Sequence, residues 1–109
     1  MQMHQIRYFL ALCEERNFTR AARRCGVSQP SLTNAIIGLE RELGGALFQR
    51  KPLIALTVLG RAVQPYLDRI AQNAEHVREA AQALADVRPA NSEPAPREEL
   101  AGNPLCPSS

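Results

Sequence analysis

Residues 18–43, FTRAARRCGVSQPSLTNAIIGLEREL, leave few folds open, because they spell two short helices joined by a tight turn, the second with an uncharged polar tip. Thr19 is a candidate cap for the first of these, whose inner face is the small pair Ala21 and Ala22 and whose last apolar residue is Cys25. Gly26 then supplies the positive φ that ends a helix at least cost. Ser28 is a good N-cap for the second, and Pro30 falls in its first turn, where a missing N–H has no intrahelical partner to lose. Two helices crossing near a right angle after a three-residue turn leave no room at the crossing for a side chain larger than that of Ala22.

On a helical wheel the second helix gathers Leu32, Ala35, Ile36, Leu39 and Leu43 on one side, at the spacing of a buried stripe. Gln29, Pro30, Thr33, Asn34, Ile37 and Arg41 fall on the other. Gln, Thr and Asn carry donors and acceptors able to reach base edges, with Gln or Asn matched to adenine and a Thr methyl to the thymine methyl. The first turn would do the reading. Spacing alone also fits any helical hairpin, so this pattern leaves DNA binding open beside a purely structural role.

At 109 residues, 45% apolar and 5% aromatic, the chain holds one small domain and little more. Its net charge of +2 says little, but the distribution is informative: residues 1–64 hold nine Arg or Lys against four Asp or Glu, a balance of +5. Residues 65–88 hold three against four and residues 89–109 one against three, so the basic excess sits on the part with the turn motif. Cys13, Cys25 and Cys106 have no metal-ligand spacing, and no basic-then-apolar leader opens the chain, which makes a reducing cytoplasm the expectation. No apolar run approaches the roughly 18 residues of a membrane span. Cys13 and Cys25 read as buried small hydrophobes rather than reactive thiols. Paired carboxylates, metal-spaced His or Cys and Gly-rich phosphate loops are missing, and His4 and His76 are isolated, so neither an enzyme nor a cofactor is expected.

Residues 3 to about 15 form a first helix with a stripe through Ile6, Phe9, Leu10 and Cys13, and Phe18 plugs the space beyond it. After Gly44 and Gly45, strand-like residues 47–49 and 53–56 flank a turn through Lys51 and Pro52, a hairpin that would lie beside the reading helix. Arg50 and Lys51 would there meet phosphate or the minor groove. Thr57 caps a further helix of about 30 residues, with Val63, Leu67, Ile70, Ala74, Val77, Ala81 and Leu84 alternating by four and three. Seven positions in that register call for a partner helix, and a second copy is the expected one; folding back on the same domain is the alternative. Pro65 and the two alanines make this a close but weak dimer. From Pro89 onward five prolines in 21 residues argue for a tail without a fold.

The run HQIRYFLALCEERNFTRAARRCGVSQPSLTNAIIGLERELGGALFQR followed by LTVLG resembles the amino-terminal domain of the LysR-type transcriptional regulators, with FTRAA, SQPSLT, LE, LG, LFQR and LT in one order and spacing. The resemblance covers residues 1–88. It implies a mainly all-α fold: a winged helix-turn-helix of three helices and a short hairpin at residues 1–58, a dimerisation helix at 59–88 and the tail at 89–109. It further implies a bacterial transcription factor that binds double-stranded DNA as a homodimer on an interrupted inverted repeat, with recognition helices in successive major grooves. By position, Ser28, Gln29, Pro30, Ser31, Thr33 and Asn34 match the family's DNA-contacting helix start, and Arg50 matches the Arg after its LF pair. Thr19 and Arg20 match the preceding helix start, which in the family sits against phosphate. Glu40 matches an acidic position read as an ion pair inside the domain.

The chain departs from the family pattern in three places. Its wing is about one residue shorter and places Leu53, Ile54 and Ala55 where many members have Arg or Lys, which leaves Lys51 to reach outward. Ile37 and Gly38 replace polar or basic residues, and a mid-helix Gly costs about 1 kcal/mol relative to Ala. No part of the sequence matches the family's effector-binding domain, so no small-molecule effector is expected to act on this stretch. The alternative function is an interaction protein, a shortened regulator pairing with full-length relatives through the same helix.

Overall fold

The computed structural model describes residues 1–87; the Pro-rich segment and Cys106 lie outside the described residues. The elements run α1 (Met3–Glu15), α2 (Phe18–Cys25), α3 (Gln29–Leu43), β1 (Phe48–Gln49), β2 (Ala55–Leu56) and α4 (Val58–Val87). Ser28 caps α3 as expected, its side chain accepting from the Ser31 amide at 3.2 Å, and Gly26 ends α2 at φ +73°. The cap of α2 moves. Asn17 is its N-cap, accepting from the Arg20 amide at 2.8 Å, so Thr19 sits inside the first turn and its hydroxyl is released for other contacts.

A compact unit, Met1–His76, holds the core. Ile6, Phe9 and Leu12 of α1, Ala21 and Ala22 of α2, and Leu32, Ile36 and Leu39 of α3 meet with Leu47 and Phe48. Each fully buried large apolar side chain contributes about 1.5–3 kcal/mol, so this cluster fixes how α3 is held. Gly38 has a physical reason: a Cβ there would come within 2.9 Å of the Gln5 side-chain nitrogen, so the missing side chain lets α1 cross α3 closely. The propensity cost in α3 is thereby offset by packing. Cys13 and Cys25 are half-buried against the cluster.

The strands are shorter than the sequence pattern, pairing antiparallel with Phe48 opposite Leu56 and Gln49 opposite Ala55. Leu47 precedes β1 as a core residue, and Leu53 is exposed in the turn. Glu40 is structural, but not through an ion pair: its carboxylate accepts from the Leu47 amide at 2.8 Å and ties the end of α3 to the wing. Thr57 joins the wing to α4. Its hydroxyl donates to the Ala46 carbonyl at 2.6 Å and accepts from the Gly60 amide at 3.0 Å, while its own amide donates to the Leu47 carbonyl at 3.0 Å. A methyl at Gly60 would collide with that same Leu47 carbonyl oxygen and lie 2.8 Å from a Leu56 methyl.

Val63 and Leu67, two of the expected seam positions, pack on the core of their own domain. Leu67 is only 3% exposed within its own chain, and Val63 packs beside it on the core. Both are occupied intramolecularly. Ala74 is half-buried, Ile70 is exposed, and the second unit, from Val77 onward, presents Val77 at 68% and Leu84 at 56% exposure, with Ala81 also exposed.

Candidate nucleic-acid interface

Burial of Leu32, Ala35, Ile36 and Leu39 dictates which side of α3 faces out. The exposed side opens with Gln29, Pro30, Ser31 and Asn34, with Thr33 half-exposed behind them. Arg41 is exposed two turns further along and Ile37 is half-buried. The side groups at the tip are therefore neutral donors and acceptors on a rigid support, the arrangement that direct readout of base edges requires.

The two flanks of this tip differ. Toward α2, Thr19 donates its hydroxyl to the Gln29 side-chain carbonyl at 3.0 Å, which leaves the Gln29 amide NH₂ group as a donor pointing away from that bond. Ser28 donates to the Ser31 hydroxyl at 2.9 Å, so the cap and first turn form one hydrogen-bonded unit. Arg20 is exposed beside Thr19, and its guanidinium lies 3.5 Å from the Glu15 carboxylate. Glu15 is shared with Arg24, which also reaches Glu14 at 2.6 Å. A surface pair of this kind is worth about 0–1 kcal/mol, so a phosphate can take Arg20 from Glu15 without a large penalty. Sequence reasoning identified Arg20 and missed its competitor, because Glu15 reaches it across the α1–α2 turn.

Toward the wing, Arg50 is held with its guanidinium 5.1 Å from the centre of the Phe18 ring. Phe18 thus supports Arg50 as well as filling space, a contact worth about 0.5–1 kcal/mol at an exposed site. Lys51 is exposed at the tip of the hairpin. The structure brings Thr19, Arg20, Ser28, Gln29, Ser31 and Asn34 onto adjoining surface, with Arg50 joined to the start of α2 through Phe18. Among the described residues, no hydrogen bond or ion pair joins the Lys51 side chain to them.

Neither thiol belongs to this chemistry. Burial pushes Cys13 from an ordinary 9.0 up to about 12, and burial also raises Cys25. Among the described residues no cluster of His, Cys, Asp or Glu could hold a metal ion, and no helix is long and apolar enough to cross a membrane.

The pattern of the family described as "Bacterial regulatory helix-turn-helix protein, lysR family" matches residues 3–61. The HTH-type transcriptional regulator BudR of Klebsiella aerogenes is 46% identical over 63 residues, covering 57% of this chain and 44% of BudR. IlvR of Caulobacter vibrioides is 44% identical over 68 residues, covering 62% of this chain and 23% of IlvR. The chain thus spans less than half the length of these curated relatives. Among solved structures, the BenM_DBD/catB site 1 DNA complex superposes with a TM-score of 0.76 at 30% identity, covering 81% of this chain and 100% of that one. The CbnR_DBD-DNA complex gives 0.71 at 36% identity, covering 78% and 99%. The family pattern covers more than half of the chain, and this chain belongs to the LysR family of bacterial regulatory helix-turn-helix proteins.

Proposed function

We propose that the chain is a sequence-specific DNA-binding module of a transcription regulator, acting as a homodimer on an interrupted inverted repeat. The observation that carries this reading is the exposed, uncharged tip of α3, held outward by four buried residues and flanked by Arg20 and Arg50. In this mechanism the tip enters the major groove, Gln29 and Thr33 contact base edges, and Ser28, Pro30, Ser31 and Asn34 line the approach. Thr19, Arg20, Arg50 and Lys51 fix the register against the sugar-phosphate backbone. The remaining seam of α4, Ile70 to Leu84, pairs with its counterpart in a second copy and sets the spacing of the two tips.

Binding measured against salt tests the reading. With six to eight phosphates neutralised per dimer, log K should fall with log salt at a slope of about −5 to −7. Gln29→Ala should cost about 1–3 kcal/mol and relax preference at one base position, whereas Arg20→Ala should weaken all sequences alike. A flat salt response contradicts the electrostatic part, and an unchanged base preference in Gln29→Ala contradicts the assignment of readout. The exposure of Val77 and Leu84 also favours a second reading, pairing of this helix with full-length relatives. Mixing with such a relative tests it, and exclusive self-pairing rules it out.

A further inference from the structure

Gln29 opens α3 at the tip of the reading helix, and its side chain is already tied to a neighbouring element. The Thr19 hydroxyl, in the first turn of α2, donates to Gln29 Oε1 at 3.0 Å. A glutamine amide has a carbonyl end that accepts and an NH₂ end that donates, so the end that faces the groove decides which base edge it matches. Two features hold the carbonyl toward α2. The start of a helix carries the positive end of its dipole, and Arg20, next to Thr19, adds a full positive charge. Both attract the carbonyl oxygen and repel the amide hydrogens.

Thr19 and Gln29 are exposed, so their bond lies on the surface that a duplex would cover. The hydroxyls of Ser28 and Ser31 are bonded to each other. Among the described residues no hydrogen bond takes the hydrogens of the Gln29 NH₂. Gln29 therefore meets a ligand as a donor. Two-bond pairing with adenine needs the amide oxygen to accept from N6 while the nitrogen donates to N7, and here the oxygen is turned toward Thr19. The groups that match an outward NH₂ are the keto oxygens of the major groove, O6 of guanine, with N7 beside it, and O4 of thymine.

We infer that Thr19 is a positioning residue for base readout: by holding the Gln29 carbonyl toward α2 it commits the NH₂ to a keto oxygen, that of guanine or thymine, in place of adenine. This rests on the proposed function. It also divides the work of Thr19, whose hydroxyl serves Gln29 while its main-chain amide, without an intrahelical partner at the helix start, is left for the DNA backbone.

The test is fluorescence anisotropy of the full chain on a duplex selected from a random pool, with the base pair read by Gln29 located as the one whose preference Gln29→Ala relaxes. At that pair the keto oxygen is deleted with 2-aminopurine for guanine or 5-methyl-2-pyrimidinone for thymine. The amino group opposite is deleted in a second duplex, with 2-pyrimidinone for cytosine or purine for adenine. Both deletions break the same hydrogen bond between the bases, so the ratio of the two affinities isolates the protein contact. Deleting the keto oxygen should weaken binding by about three- to tenfold more than deleting the amino group, and the base that carries the effect tells guanine from thymine. Thr19→Val, which removes the hydroxyl and nearly keeps the shape, should bring that ratio close to one, and Thr19→Ser should restore it. Circular dichroism of each variant shows that the fold is intact. A ratio at or below one in the unaltered chain, a ratio lost equally in Thr19→Ser, or a Thr19→Val that weakens all duplexes alike with the ratio unchanged overturns this inference while leaving the proposed function standing. No base pair relaxed by Gln29→Ala, or no binding by any form, overturns both.

Discussion

Helices α3 and α4 both carry a regular apolar stripe, and the structure treats them differently. The stripe of α3 is closed over by α1, α2 and the wing, leaving Leu32, Ile36 and Leu39 without exposure. The stripe of α4 is closed only where Val63 and Leu67 meet the core, while Val77 and Leu84 stay open. Periodicity therefore announces that a helix face needs covering but does not say by what. For α3 the answer is local, because three short elements surround it; for most of α4 the chain through residue 87 has nothing left to offer.

Truncation on each helix separates the two cases most sharply. Leu39→Ala should cost about 2–5 kcal/mol in denaturant unfolding, as expected for a fully buried leucine that leaves a cavity. Leu84→Ala should leave the Met1–His76 unit intact, lowering only the concentration-dependent part of stability and weakening the proposed dimer in sedimentation. Equal losses from both would mean that α4 is covered by its own chain.

A smaller effect concerns the junction that places the first turn of α4. Gly60→Ala forces a methyl against the Leu47 carbonyl and should destabilise by about 1–3 kcal/mol, read as a lower thermal midpoint. Smaller still is the alkaline limb of stability. Because burial pushes the Cys13 thiol up to about 12, the folded chain keeps a proton that an unfolded chain releases near 9, so stability should decline as pH rises from about 9 toward 12. Cys13→Ala should flatten that limb, and the thiol should alkylate slowly in the folded state. A Cys13 that reacts at the rate of a free thiol contradicts the packing of α1.

Where a signal was local, the sequence carried it in full. Ser28, Pro30 and Gly26 act within one turn of themselves, and their roles were legible from residue type. The cap of α2 was read at Thr19, but Asn17, two residues earlier, takes the role, its extended backbone at φ −156° placing its oxygen on the Arg20 amide. The Thr19 bond to Gln29, the Glu15 hold on Arg20 and the Phe18 support of Arg50 join residues on different elements, so no spacing rule reaches them. Glu40 illustrates the middle case. Its structural role was readable from its position, but its partner, the Leu47 amide, depends on how the chain turns back after Gly44.

The central claim is that α3 is an outward reading helix whose spacing is set by pairing of α4. Selection of bound duplexes from a random pool, followed by light scattering of the purified complex, addresses both halves at once. The account predicts enrichment of two inverted half-sites separated by a fixed interval, with two chains per duplex. Enrichment of a single half-site by one chain, or no enrichment at all, would contradict it.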